Sequence, residues 1–196
     1  GNNAYRITSA DLEVTWDDSS VDADTYRYTC DNGHSWYMES NDTDDIDILS
    51  INTSKSIRYI SSSDDDPASF GKAFLTFPID RSEVVSGSDI ESAKLILHGG
   101  RHNSSARGVV YGAKTSDVYS IDLFQGSSSY SSHDSIPVTT NKGFIPASTK
   151  STSSPVNAVN YLFEVDVKDL LVEYLNDATT DDDYVLLKLE VPSSGT

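Results

Sequence analysis

The chain has 196 residues, of which 37% are apolar, and its 31 acidic and 14 basic residues give a formal net charge of −17. This length and apolar content predict a single domain over residues 1–196 with one core. The negative charge excludes nucleic acid as a favourable partner because phosphates would be repelled. No run approaches the ~20 apolar residues that cross a bilayer, so we expect no membrane partner.

Alternation of apolar and polar residues, which is typical of half-buried strands, recurs along the whole chain. The predicted strands, in chain order, are Leu12–Trp16, Ile46–Ile48, Ile57–Tyr59, Ala73–Ile79, Ala93–Leu97, Val109–Tyr111, Val118–Phe124, Tyr161–Val167 and Val185–Val191. Nine short strands separated by Ser, Asp, Asn and Gly predict an all-β fold, an antiparallel β-sandwich.

One helix is predicted near the C-terminus, over Val167–Asn176. Its apolar residues recur three and four positions apart and form one stripe that would face a core, namely Val167, Leu170, Leu171, Tyr174 and Leu175. Asp166 stands at the position where an N-cap accepts backbone N–H groups.

Two regions show little periodicity, residues 17–45 and residues 125–158. The second is rich in Ser and Thr, and a long loop in a compact domain is usually functional or mobile. The single cysteine, Cys30, lies in the first region and cannot form an internal disulfide. We expect it to be a small buried or half-exposed residue.

The segment His98–Gly108 is a cationic island that contains two Arg, two His and no acid, and we predict that it is a loop between two strands. A guanidinium fork binds two oxygens of a carboxylate or sulfate at once. The segment therefore favours recognition of an acidic or hydroxyl-rich glycan. The alternative is a loop whose arginines pair with nearby Asp. The candidate ligand-binding residues are His98, Arg101, His102 and Arg107.

Aromatic side chains provide the second group of candidates, because sugar rings stack on flat aromatic faces and both surfaces lose water. Trp36 and Tyr37, in a polar region that we predict to be a loop, are the best placed, and Tyr111 joins them. The alternative for each ring is packing in the core, which is our interpretation of Trp16 on its alternating strand.

No catalytic signature is present in the sequence. Gly-x-Ser-x-Gly, P-loop and His-Glu-x-x-His motifs do not occur, and with 31 acids a pair of carboxylates carries no information. We therefore predict no catalytic residues and favour a binding module over an enzyme.

Four segments resemble the DNRLRE-type carbohydrate-binding modules, which include family 96 of such modules. They are Ala23-Asp24-Thr25-Tyr26, Lys72-Ala73-Phe74-Leu75-Thr76-Phe77-Pro78-Ile79, Ser92-Ala93-Lys94-Leu95-Ile96-Leu97 and Glu164-Val165-Asp166-Val167-Lys168-Asp169-Leu170-Leu171. Pro78 stands where these modules usually have Asp, and Lys168 where they usually have Thr. The middle of the chain lacks their usual Trp-x-Glu…Thr-Trp stretch.

The resemblance implies a jelly-roll-like β-sandwich that binds polysaccharide without chemistry of its own. It also implies attachment to the catalytic domain of a secreted polysaccharide-degrading enzyme. A start at Gly1-Asn2-Asn3, without Met, fits a mature or trimmed chain. We expect it to be extracellular and monomeric. The acidic surface and the cationic island indicate a marine bacterium and an algal, anionic polysaccharide. The alternatives are a small polysaccharide lyase or hydrolase and a cell-surface structural or adhesive module.

Calcium is the one cofactor that we expect, in a structural role. Carboxylates are favoured ligands for this hard cation, and in β-sandwich glycan binders a bound Ca²⁺ often fixes loops. Asp24 and Asp166, at positions matched by the resemblance, are the candidate metal ligands. The alternative is that the acidic residues are solvated and that Asp166 only caps the helix.

Overall fold

The computed structural model describes residues 4–16, 24–30, 32–38, 47–51, 57–60, 70–80, 89–101, 108–116, 118, 136–145 and 161–190. Within these ranges the chain forms eleven strands and one helix. In chain order they are β1 (Ala4–Trp16), β2 (Asp24–Thr29), β3 (Asn32–Met38), β4 (Asp47–Ile51), β5 (Ile57–Ile60), β6 (Phe70–Pro78), β7 (Ile90–Arg101), β8 (Gly108–Ala113), β9 (Val138–Ile145), β10 (Tyr161–Asp166), α1 (Lys168–Leu175) and β11 (Tyr184–Glu190).

The strands form two antiparallel sheets, between which the chain crosses repeatedly. In sheet A, β10, β7, β1 and β2 are neighbours in that order, and β5 also pairs with β1. In sheet B the order is β4, β3, β6, β11, β8 and β9. One apolar core contains residues of both sheets and of α1. The prediction of an all-β antiparallel sandwich with one short helix is therefore confirmed.

The alternation in the sequence assigns the inward faces correctly. Buried residues at every second position include Leu12, Val14 and Trp16 in β1, Leu75 and Phe77 in β6, Ala93, Leu95 and Leu97 in β7, Phe163 and Val165 in β10, and Val185, Leu187 and Leu189 in β11. Full burial of an aliphatic or aromatic side chain contributes roughly 1.5–3 kcal/mol, so these rows dominate the stability of the sandwich. Cys30, which the sequence left as either buried or half-exposed, is buried.

The helix α1 spans Lys168–Leu175, one residue shorter at each end than predicted. Leu170, Leu171, Tyr174 and Leu175 are buried, as the apolar stripe requires. Val167 occupies the N-cap position and makes no side-chain cap bond. Asp166, one residue earlier, instead accepts the Lys168 backbone N–H on Oδ1 at 3.0 Å, so its carboxylate satisfies one donor of the first turn.

Three strands lie in regions where the sequence shows little pattern. Strands β2 and β3 occupy part of residues 17–45, and β9 occupies part of residues 125–158. Of the predicted strand Val118–Phe124, only Val118 lies within the described residues, where it is buried and outside any strand. Among the helices of the described residues, none is long and apolar enough to cross a membrane.

Two loop predictions are corrected by strand pairing. Trp36 and Tyr37 lie in β3, paired with Lys72 and Gly71 of β6, and not in a loop. His98 to Arg101 form the end of β7, where they pair with β1, so the cationic island begins in a strand. These residues continue β7 because β1 is thirteen residues long and provides backbone partners beyond the apolar part of β7.

Gly143 marks a close contact between the edge strands β9 and β10. A Cβ there would meet the Asp166 backbone oxygen and Val165 Cγ1, both at 2.9 Å. We expect Gly143→Ala to lower the free energy of unfolding by roughly 1–3 kcal/mol, as overpacking does, measured by urea denaturation. Thr140→Ala, at an exposed position of β9, is the control. A cost for Gly143→Ala no larger than that of the control would show that the two edges separate without strain.

Candidate functional site

The outer face of sheet B brings aromatic and charged residues together across its strands. Gly143 and its partner Val110 are on the inward face, because a Cβ on Gly143 would meet Val165 of sheet A. The residues that alternate with them along β8, β9 and β11 are therefore on the outward face. We call six of these residues the platform, and they are Val109, Tyr111, Lys142, Phe144, Lys188 and Glu190.

Register arranges the platform in two rows. In the first row Phe144 pairs with Val109 and Val109 with Glu190, while in the second Lys142 pairs with Tyr111 and Tyr111 with Lys188. Directly opposed side chains on adjacent strands are close enough to interact, and diagonal neighbours remain within reach of long side chains. The platform is therefore a set of neighbouring side chains on one face of the sheet, with two aromatic rings, two ammonium groups and a carboxylate, of which Val109 and Lys188 are buried.

Exposure falls from the edge of the platform towards the middle of the sheet. Phe144 on the edge strand is 63% exposed, and among the described residues it is the one exposed large apolar side chain. Tyr111 is half-buried, and Val109 and Lys188 are buried. Single exposed apolar side chains are ordinary on folded domains, so it is the combination of Phe144 with the neighbouring Tyr111 and charged groups that makes this surface a candidate site.

The charges of the platform are organised around its rings. Lys142 places its Nζ 5.5 Å from the centroid of the Phe144 ring, a cation–π contact. Lys188 Nζ binds Glu190 Oε1 at 2.7 Å. Burial raises the pKa of the Tyr111 hydroxyl above its usual value, and the negative charge of Glu190 adds to this rise. Tyr111 therefore stays protonated at neutral pH and can donate a hydrogen bond to a ligand.

A second polar group, the Glu173 cluster, joins the last turn of α1 to β9 and to Lys114, which follows β8. It consists of Glu173, Lys114, Asp177, Thr140 and Asn141. Glu173 Oε1 accepts the Thr140 N–H at 2.8 Å and binds Lys114 Nζ at 2.9 Å. Its Oε2 accepts the Asn141 backbone N–H at 2.9 Å and Asn141 Nδ2 at 3.0 Å. Lys114 also binds Asp177 Oδ2 at 3.2 Å.

The hydrogen bonds control the ionisation of the Glu173 cluster. Burial alone would raise the pKa of Glu173, but donation from the Asn141 N–H, Lys114 and the Thr140 N–H outweighs it and lowers the pKa to about 2. The hydrogen bond with Glu173 in turn raises the pKa of Lys114. The side-chain and backbone bonds from Thr179 lower the pKa of Asp177. All three groups are charged at neutral pH and bond to one another. The cluster therefore has a structural role and is no candidate for acid–base chemistry.

Within the Glu173 cluster, Glu173 itself holds an irregularity in β9 through its bonds to Thr140 and Asn141. Between the pairs Tyr111–Lys142 and Ala113–Val138, only Gly112 stands on β8, whereas Thr139–Asn141 stand on β9. We call Thr139–Asn141 the β9 bulge. Thr139 Oγ1 accepts the Gly112 N–H at 2.9 Å and donates to the Asn141 carbonyl at 2.7 Å. Bulges bend strands and change the aim of the side chains that follow, which here are Lys142 and Phe144.

The predicted ligand-binding residues converge only in part. Trp36 pairs with Lys72, and Lys72 pairs with Glu190, so Trp36 belongs to the same row of sheet B as Phe144. Tyr111 is in the platform itself. Arg101 ends β7 and His98 lies three residues earlier in that strand. His102 and Arg107 lie outside the described residues, but the chain after Arg107 enters β8 directly at Gly108, next to Val109.

Phe144 and Lys142 are missing from the residues predicted from the sequence. The available signal was the short run Asn141-Lys142-Gly143-Phe144-Ile145, in which an apolar ring alternates with Gly143 and Ile145. It follows a polar Ser/Thr-rich stretch without clear period, and this concealed the strand.

The structure does not bring Asp24 and Asp166 together. They lie on β2 and β10, the two ends of the path β10–β7–β1–β2, with two strands between them. Since neighbouring strands are ≈ 4.8 Å apart, the two backbones are separated by roughly 14 Å or more. Ca²⁺ ligands lie at only ~2.3–2.6 Å from the ion, so one ion does not contact both carboxylates. Calcium binding stays a prediction, which elemental analysis of the purified protein would test.

Metal-binding groups and known relatives give no further assignment. Within the described ranges, no three His, Cys, Asp or Glu side chains are placed to hold a metal ion. Comparison with protein-family models, with curated proteins and with solved structures finds no match.

Proposed function

We propose that this chain is a non-catalytic carbohydrate-binding module of a secreted polysaccharide-degrading enzyme. In this proposal it binds an algal polysaccharide of a marine environment and is tethered to a catalytic domain in the full-length protein. The platform and the cationic segment that leads into it, Arg101 to Arg107, contact the sugar chain.

The observation that carries the proposal is the exposed Phe144 beside the half-buried Tyr111, with Lys142 and Glu190 around them. Sugars present apolar C–H faces and polar rims at once. A surface that offers aromatic rings among hydrogen-bonding and charged groups matches both features. The rings lie on strands of a sheet, and a rigid element preserves their spacing for a repeating polymer.

A cleft in which Tyr, His and Arg come within reach of one another would favour a lyase. The described part of the chain places Tyr111 in β8 of sheet B and His98 and Arg101 in β7 of sheet A. The lyase stays an alternative, and an assay for reaction products tests it directly.

We expect the purified protein to be retarded in native gels by at least one of alginate, agar, porphyran and carrageenan. It should release no reducing ends and no unsaturated uronic acid, which absorbs at 235 nm. Retardation with no product supports a binding module. Product formation from any of these polymers would assign an enzyme, and mobility unchanged by all of them would favour the structural or adhesive alternative.

Variants in the same gels locate the contact surface. We expect Phe144→Ala to weaken binding at least about tenfold, because full burial of an aromatic side chain contributes roughly 1.5–3 kcal/mol. Arg101→Ala and Arg107→Ala should also weaken it through lost charge-assisted bonds. Phe144→Trp should retain affinity. Lys94→Gln, an exposed lysine on the outer face of sheet A, is the control for surface charge.

A further inference from the structure

We infer that Glu173 is a positioning residue for the platform. Its carboxylate holds the β9 bulge and thereby fixes where Lys142 and Phe144 stand on the outer face of sheet B. The inference concerns the residues that arrange the platform, and its bearing on glycan affinity rests on the proposed function.

The first step is that the carboxylate bridges three separate parts of the chain. Glu173 belongs to α1, Lys114 follows directly after β8, and Thr140 and Asn141 belong to β9. Four donors converge on the two oxygens within 3.0 Å. Two of these donors are consecutive backbone N–H groups, so the bond fixes the main chain of β9 as well as its side chains.

The second step is that, among the described residues, this stretch of backbone has no regular partner on a neighbouring strand. Opposite the β9 bulge, β8 offers only Gly112. Thr139 Oγ1 accepts the Gly112 N–H and donates to the Asn141 carbonyl. The N–H groups of Thr140 and Asn141 bind Glu173 instead. The carboxylate therefore takes the place of a neighbouring strand at this point of the edge.

The third step is the short path from the bulge to the platform. Lys142 is the next residue after Asn141, and Phe144 is two residues further. Pairing with β8 resumes at Lys142, so the conformation of the bulge decides the direction in which the strand re-enters the sheet. Phe144 is exposed and is held mainly by its strand, which makes its position sensitive to that direction.

Glu173→Gln tests the inference, because the side chain keeps its size but exchanges one acceptor oxygen for an NH₂ group that faces donors. Asp177→Asn is the matched control. Asp177 shares Lys114 with Glu173 and bonds to Thr179. Among the described residues, no hydrogen bond joins its side chain to β9.

The primary readout needs no ligand. Lys142 Nζ lies over the Phe144 ring, 5.5 Å from its centroid, so we expect the ring current to shift the proton resonance of the methylene group next to Nζ. We expect Glu173→Gln to reduce this shift and to speed the exchange of the Thr140 and Asn141 amides about tenfold or more. Asp177→Asn should change neither. A ring shift in Glu173→Gln equal to that of the wild type would overturn the inference.

Affinity for a retained polysaccharide is the second readout. We expect Glu173→Gln to weaken binding about three- to tenfold under conditions in which the variant is fully folded, and Asp177→Asn to leave it within twofold. Wild-type protein that is not retarded by any polysaccharide would refute the proposed function while the ring shift still decides the inference. Wild-type affinity retained in Glu173→Gln would refute the inference alone.

Discussion

As the pH falls from 6 towards 2, the free energy of unfolding of the wild type should decrease by about 3 kcal/mol more than that of Glu173→Gln. The hydrogen bonds to Glu173 lower its pKa from 4.5 to about 2 in the folded state, and each unit corresponds to 1.36 kcal/mol. A carboxylate with a lowered pKa stabilises the fold above its unfolded pKa. This stabilisation is lost as the pH falls through 4.5 and on towards the folded pKa.

The measurement is urea denaturation of both proteins at several pH values between 6 and 3. Other carboxylates also titrate in this window, so the informative quantity is the difference between wild type and variant. That difference should be largest near pH 6 and should shrink by about half or more at pH 3. A difference that does not change with pH would contradict the assignment and would make the interaction a neutral packing effect. Because Glu173 is only 20% exposed in its side chain, screening by solvent should reduce the effect modestly.

Lys114 determines how we expect this interaction to affect stability at high pH. Its pKa is raised, first by the hydrogen bond with Glu173. A raised pKa in a basic group stabilises the fold below the unfolded value and loses that contribution as the pH rises through the folded value. The same pair of charges appears in both shifts, so the two contributions are one interaction and do not add.

The sequence predicts the inward faces well because the apolar residues on those faces follow a simple period. Leu12 and Val14 of β1, or Phe163 and Val165 of β10, are buried and alternate with half-buried or exposed residues, and apolar side chains at every second position are typical of a pleated sheet. The helix is predicted for the same reason, since Leu170, Leu171 and Tyr174 recur at the helical period.

Strand β9 could not be predicted in this way, and the physical reason lies in its inward residues. Two of these are Thr139 and Gly143, which are buried without being large or apolar. Gly143 is required by the close approach of β10, and Thr139 ties the bulge. A strand that buries small residues and exposes Phe144 reverses the usual pattern, so the residues that form the platform were overlooked.

Long-range pairing is the other reason why parts of the site could not be predicted from the sequence. The partners of Glu173 are more than thirty residues away in the chain, and nothing local marks them. The resemblance that singled out Asp24 and Asp166 likewise supplies no register, and the register places them at opposite ends of one path across sheet A.

Truncation of Tyr174 should have the largest effect among the substitutions considered. Its side chain is fully buried, and its ring lies so close to Gly112 that a Cβ there would be 2.9 Å from Tyr174 Cδ2. We expect Tyr174→Ala to lower the free energy of unfolding by roughly 3–5 kcal/mol, as loss of a buried aromatic ring usually does. Urea denaturation at pH 7 measures the change.

Tyr174→Phe separates the hydroxyl from the ring. The Leu186 N–H donates to Tyr174 Oη at 3.0 Å, and the hydroxyl itself reaches the Tyr184 carbonyl at 3.4 Å. Pairing of β11 with β8 covers only Leu187–Glu190, so the hydroxyl provides an acceptor for an amide one residue beyond the end of that ladder. Removing the hydroxyl leaves a buried donor unsatisfied, which costs roughly 1–3 kcal/mol.

The two variants together test whether Tyr174 is the side chain through which α1 stabilises the part of β11 beyond its pairing with β8. Tyr174→Phe should speed exchange of the Leu186 amide while the amides of β7 that pair with β1 keep their protection, because the ring still fills its space. Asp169→Asn, an exposed position on the same helix, should change stability by no more than about 0.5 kcal/mol. If Tyr174→Phe were as stable as the wild type, the hydroxyl would be dispensable. The contribution of Tyr174 would then be packing alone.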